Sequence, residues 1–140
     1  MSVQMVLLPV FVLVGLTLAL MVGMIGARRK ALVSGETKIR DIALGQQNWP
    51  VRTTQIGNCY RNQFELPLLF YVLTILAIIS KHADLLFVVM AWIFVASRYL
   101  HAFIHITTNY VRHRFTAYLV GMIVLMLMWI IFAIHILTGV

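Results

Sequence analysis

The sequence predicts an all-α integral membrane protein, a single domain built as a four-helix bundle. Three observations lead there. Of its 140 residues, 62% are hydrophobic and 11% are charged, more apolar surface than a soluble domain of this size can hide. The apolar residues fall into four stretches, at about 3–26, 56–80, 84–110 and 115–138, each near the ~20 residues that a bilayer core requires. Little is left outside them except a polar segment at 27–55.

The net charge of +7 would suggest nucleic acid in a soluble protein. Here the basic residues gather at the ends of apolar segments, where they set membrane orientation, so no nucleic-acid partner is expected. Arg28, Arg29, Lys30, Lys38, Arg40 and Arg52 lie between the first and second spans, and Arg112 and Arg114 follow the third. Both groups are expected on the cytoplasmic side. Both termini are then non-cytoplasmic, in a cell inner membrane if the source is bacterial.

The first span, 3–26, carries no charge, and its basic cluster follows the apolar run where a signal peptide has it in front. A retained helix is expected, with Gly15, Gly23 and Gly26 serving packing. In the loop, Ser34, Gly35 and Glu36 suggest a turn, and Asn48, Trp49 and Pro50 a break before the next helix. Trp49 suits the headgroup layer, and the basic residues suit contact with anionic membrane lipid. The second span opens on a polar cluster, Arg61, Asn62 and Glu65, with Pro67 predicting a kink just past it. Cys59, the sole cysteine, reads as a small core residue. The connection at 81–84 is short enough to make the second and third spans antiparallel neighbours. His82 and His113 are expected to face solvent, and His135 to lie at the interface.

The third span holds Arg98, His101 and His105 at i, i+3 and i+7, one face of a helix. Ionisable groups at that depth face protein or water. Counting along the two antiparallel spans puts Glu65 and Arg98 at similar depth, so Glu65 is expected to meet Arg98 or His101, with Arg61 and Asn62 nearer His105 and Arg114. The bland alternative for the second span is an Arg61–Glu65 pair that neutralises itself. A purely structural network that pairs Glu65 with Arg98 leaves Arg61, Arg112 and Arg114 without an acidic partner, and surplus cation at this depth implies an anionic guest or snorkelling to lipid phosphate.

His101 and His105 have the spacing of a helical metal pair, but no third ligand matches and Arg98 repels a cation, so no metal is expected. No phosphate-binding glycine loop or nucleophile elbow is present. The constellation suits a bound thiol: an arginine stabilises the thiolate, the reactive form, while other cations and Asn62 hold carboxylates and Glu65 holds an ammonium. Glutathione has those groups.

At these residues the chain resembles the MAPEG family, the membrane-associated proteins in eicosanoid and glutathione metabolism. Arg61, Asn62, Glu65 and Pro67 match the family's Arg-Asn-x-x-Glu element and its proline, and Arg98 and His101 match the pattern of the third span, with His105 where many members have tyrosine. Arg114, with Tyr118 four residues on, resembles the thiol-activating arginine and its tyrosine companion; Arg112 takes that role if the register is two residues earlier. Phe115 stands where the family's prostaglandin synthase has a serine, which argues against prostaglandin chemistry. The resemblance implies a homotrimer with glutathione as co-substrate. It implies a glutathione transferase or peroxidase acting on a lipophilic small molecule that arrives through the membrane. The rival is a non-catalytic lipid-binding or scaffold protein of the same fold, and a transporter is disfavoured because no span reads as broken in its middle.

Overall fold

The computed structural model describes residues 2–139. Four membrane-length segments are present: α1 (Val3–Val33), a second span divided into α2 (Val51–Asn62) and α3 (Leu66–Ile79), α4 (Leu85–Ile106), and α5 (Val111–Thr138). A single 3-10 turn, Ile39–Asp41, lies in the loop after α1, and no strand occurs among the described residues.

The predicted class and number of spans hold, while their ends move. Arginine, lysine, alanine and leucine are all good helix formers, so α1 does not stop near residue 26 but carries its basic cluster on to Val33. Its 31 residues reach about 46 Å, against a hydrocarbon core of about 30 Å. The surplus length is enough to carry the basic turns clear of a hydrocarbon core. The predicted turn then follows: Gly35 adopts φ +79° and the Thr37 amide donates to the Ala31 carbonyl at 3.3 Å. The loop is fastened by Thr37 Oγ1 on the Asn48 carbonyl at 3.1 Å, and by Asn48 Nδ2 on the Asp41 carbonyl at 2.6 Å.

The second span begins at Val51, directly after Pro50, and it is broken rather than kinked. Gln63, Phe64 and Glu65 donate their amides to the carbonyls three residues back, at 3.0, 3.1 and 3.2 Å. Pro67 lies in the first turn of α3, where a missing N–H leaves nothing unsatisfied. The interruption therefore falls before the proline, inside the polar cluster, and not past it. It also removes the argument that no span is interrupted.

The α3–α4 connection closes as a Schellman turn, with Lys81 at φ 62° and the His82 amide on the Ala77 carbonyl at 2.9 Å. Asp84 caps α4 through Phe87 N at 2.9 Å. Helix α4 ends at Ile106, not near 110, and α5 starts at Val111, which draws Arg112 and Arg114 into its first turns.

Packing separates the bundle into two ends. At one, Val6 and Leu13 of α1, Phe70, Leu73 and Ala77 of α3, Phe87, Val88, Ala91, Phe94 and Val95 of α4, and Leu125 and Met128 of α5 form the apolar core. Phe70 stacks on Phe94 at 4.9 Å, joining the second and third spans as expected. At the other end a smaller cluster, Leu20, Cys59 and Ala102, underlies the polar residues. Cys59 is fully buried, with Sγ 3.8 Å from the Ala102 carbonyl, in keeping with a packing role. In lipid, helices associate by close approach more than by hydrophobic transfer. Gly121 shows it: a Cβ there would stand 2.7 Å from Ser97 Oγ, so α5 lies against α4 only because residue 121 has no side chain.

His82 is not free in solvent. It is half-buried, its ring 5.6 Å from that of His135 and 6.3 Å from Phe132. His113 is exposed and packs edge-on to Tyr110 at 4.7 Å.

Candidate functional site

The basic end is tied together before any site forms. The carbonyls at the C-terminus of a helix lack intrahelical donors, and side chains of α2 supply them to α4. Arg52 donates to the Ile106 carbonyl, and Gln55 Nε2 to those of His105 and Thr107 at 2.7 and 3.1 Å. Arg52 is thus a cap for α4 as well as part of the basic loop. On the opposite flank Arg28 lies over the Trp49 ring at 5.1 Å and beside Gly57, and Tyr99 holds α1 through the Val12 carbonyl at 2.7 Å.

Arg98, His101 and His105 share one face of α4 as predicted, and all three are buried. Arg98 is 0% exposed, and its partner differs from the expected one. Its Nη2 donates to Oδ1 of Asn62 and, at 3.4 Å, to the Asn62 carbonyl. Asn62 Nδ2 in turn donates to the Glu65 carboxylate at 3.2 Å. Glu65 reaches Arg98 through an intermediary because the turn at 63–65 ends α2 and swings the carboxylate outward, where it is exposed. Arg61 and Glu65 form no ion pair with each other, so the self-neutralising alternative does not hold either.

A cavity of about 500 Å³ opens beside this network, lined by Asn58, Arg61, Asn62 and Glu65 from the second span, His101 and His105 from α4, and Val111, Arg114, Phe115 and Tyr118 from α5. Arg98 stands behind the wall, beneath the Tyr118 ring at 5.9 Å, and the His101 ring is 5.6 Å from Tyr118. It supports the cavity without lining it. Arg112 is exposed and outside the cavity, whereas Arg114 lines it. Asn58 and Asn109 went unremarked in the sequence. Asn58 precedes Arg61 and Asn62 at helical spacing, so its place on their face was available from periodicity. Asn109 holds Arg114 Nη1 through Oδ1 at 2.6 Å, a contact that depends on how the chain turns between α4 and α5.

The wall carries two guanidinium groups and a single carboxylate, Glu65. Behind and around it, Arg98 Nε and Nη1 and the Nδ1 atoms of His101 and His105 are buried with no partner among the described residues. A buried polar group in that condition costs about 1–3 kcal/mol. Such an arrangement suits an anionic guest with several hydrogen-bonding groups.

The family model for the MAPEG family matches residues 6–134, nearly the whole chain. The chain belongs to the MAPEG family. This bears out the resemblance read from Arg61, Asn62, Glu65, Pro67, Arg98 and His101. In this MAPEG protein the Arg-Asn-x-x-Glu element straddles the end of α2 and the turn after it, so its asparagine faces Arg98 and its glutamate faces the cavity. MAPEG membership covers glutathione transferases and peroxidases and other members as well. No curated protein and no solved structure matches the chain.

Proposed function

We propose that this protein is a glutathione transferase or peroxidase of the membrane, with the cavity as its thiol site. The observation that carries the reading is the wall itself, where Arg61 and Arg114 face one another's field with only Glu65 to offset them. Arg61, supported by Asn58 and Asn62, receives carboxylate; Glu65 receives the ammonium; Arg114 lies by the sulfur. A thiol in water is only a few per cent thiolate at pH 7, and an adjacent guanidinium raises that fraction. The thiolate then attacks an electrophilic carbon, forming a C–S bond as the leaving group departs with its electron pair. With a hydroperoxide it attacks oxygen instead, the O–O bond breaks to give an alcohol and a sulfenic acid, and a second glutathione converts the latter to disulfide and water.

Arg98 is a support for Asn62 and Tyr118 in this scheme, and His101, His105 and Tyr118 hydrogen-bond the peptide. The cavity lies at the end of the molecule that carries the basic loop, which fits a cytoplasmic mouth. A homotrimer fits the family, and it would bring further surface to the exposed sides of Arg61 and Glu65. Isothermal titration of the detergent-purified protein with glutathione tests the reading, and absence of binding at millimolar ligand overturns it.

A second reading, a non-catalytic lipid-binding protein, is favoured by an apolar groove of about 500 Å³ between α4 and α5, lined by Ile93, Leu100, Ile104, Ala117 and Val120 among others. It predicts co-purifying lipid without thiol chemistry. Conjugation of glutathione to an aryl halide excludes it.

A further inference from the structure

Arg114 has one side-chain hydrogen-bond partner among the described residues, Oδ1 of Asn109 at 2.6 Å. Asn109 lies outside both helices at φ 51°, a left-handed conformation that asparagine accepts more readily than most residues. Its own amide donates to the Ile104 carbonyl at 2.7 Å. The residue is therefore fixed at both ends, its backbone to α4 and its side chain to the second turn of α5. Glycine would turn the chain as well, so the need for a left-handed residue does not account for the amide.

We propose that Asn109 is a positioning residue that aims the Arg114 guanidinium into the cavity while leaving its charge intact. A carboxylate in the same place would bind the guanidinium more strongly but would cancel the field Arg114 exerts on whatever lies before it. A neutral amide oxygen gives direction without that cancellation. The surrounding charges make the distinction matter. Arg61 and Glu65 face Arg114 from the second span, His101 and His105 from α4, and Tyr118 from one turn along α5, and Glu65 is the only acid among the wall residues. A second acid at 109, beside Arg114 just outside the wall, would match the two guanidinium groups of the wall with two carboxylates. The role in thiol activation rests on the glutathione reading above; the aiming of Arg114 does not.

Two substitutions in the full-length protein separate the parts of the claim. Asn109→Gly keeps the left-handed backbone and removes the acceptor, and Asn109→Asp keeps the acceptor and adds charge. The first readout needs no ligand: the guanidinium nitrogen resonances of Arg114, assigned by their loss in Arg114→Lys. They are expected to be resolved in the parent and in Asn109→Asp, and rotationally averaged in Asn109→Gly. The second is the ultraviolet thiolate absorbance of bound glutathione as pH is raised. Both variants are expected to show a several-fold smaller thiolate fraction at neutral pH and a midpoint displaced upward. Arg114 resonances that are the same in the parent and Asn109→Gly overturn the aiming, and an Asn109→Asp variant with the parent's titration overturns the argument from charge. If the parent itself gives no thiolate signal, the glutathione reading and the charge argument built on it both fail. The resonances then decide the aiming alone.

Discussion

The Arg98 guanidinium donates to both the side-chain oxygen and the backbone oxygen of Asn62, so the most deeply buried cation of the third span is held by the last residue of α2. Two of its other donor atoms have no partner among the described residues, which leaves Asn62 with most of the task of making that burial tolerable. Replacing it by leucine leaves the cation only the backbone oxygen of residue 62. Asn62→Leu is expected to lower stability by about 1.5–3 kcal/mol, the usual worth of a hydrogen bond to a charged group. Asn62→Asp keeps an acceptor of opposite charge and should lose less. Thermal unfolding in detergent ranks the two, and equal stability for Leu and Asp would show that Arg98 finds its support elsewhere.

Gly121 and Ser97 form a contact whose energy can be isolated. The Cβ of Gly121→Ala would meet Ser97 Oγ at 2.7 Å, and overpacking of this kind costs about 1–3 kcal/mol. Ser97→Ala removes the obstructing oxygen. The double variant is therefore expected to recover most of the loss, a coupling that a double-mutant cycle reads directly.

Arg114→Ala is expected to abolish the thiolate absorbance that appears on adding glutathione and to leave most of the binding in place. Arg112→Ala should retain it, because Arg112 lies outside the cavity. Without the guanidinium, thiolate forms only as pH rises towards the ordinary thiol range near 8.5. The conjugation rate of Arg114→Ala should accordingly climb with pH across the neutral region more steeply than that of the parent. Loss in Arg112→Ala instead would move the activating position two residues back.

Arg52 and Gln55 cap α4 from a neighbouring helix. Loss of a cation at a helix C-terminus typically costs about 0.3–1 kcal/mol, and uncovered carbonyls add to it. Arg52→Ala should destabilise modestly, and Arg52→Ala with Gln55→Ala by more. Hydrogen exchange should quicken at the Asn109 amide, which bonds the Ile104 carbonyl in the frayed turn, while the Phe94 amide at the apolar end stays protected.

Composition and periodicity carried the fold class, the four spans and the shared face of Arg98, His101 and His105, because these are properties of residue types and their spacing. Helix ends were less legible. Basic clusters read as the limit of an apolar segment, yet they are good helix formers, so α1 continues through Arg28–Lys30 and α5 begins ahead of Arg112. The break at 63–65 was announced only by Pro67, whose position tells that the helix is disturbed and not on which side. That break is why Glu65 meets Asn62 instead of Arg98. The parts of the site that sequence missed are long-range or conformational. Gly121 matters through a residue on another helix, and Asn109 through a positive φ that its residue type permits but does not demand.

The division of the second span also bears on the surrounding lipid. Helix α3 alone is apolar along its length, and its 14 residues rise about 21 Å, well short of the roughly 30 Å of hydrocarbon that a bilayer presents. A mismatch of this size favours thinning of the leaflet on the side where α2 begins, at a cost of only fractions of a kcal/mol per ångström. Such thinning would lower the aqueous boundary towards Asn58, Arg61 and Glu65. A polar guest from water and an apolar one from lipid could then reach the same few residues from different phases, as the proposed function requires, with neither having to cross the other's medium.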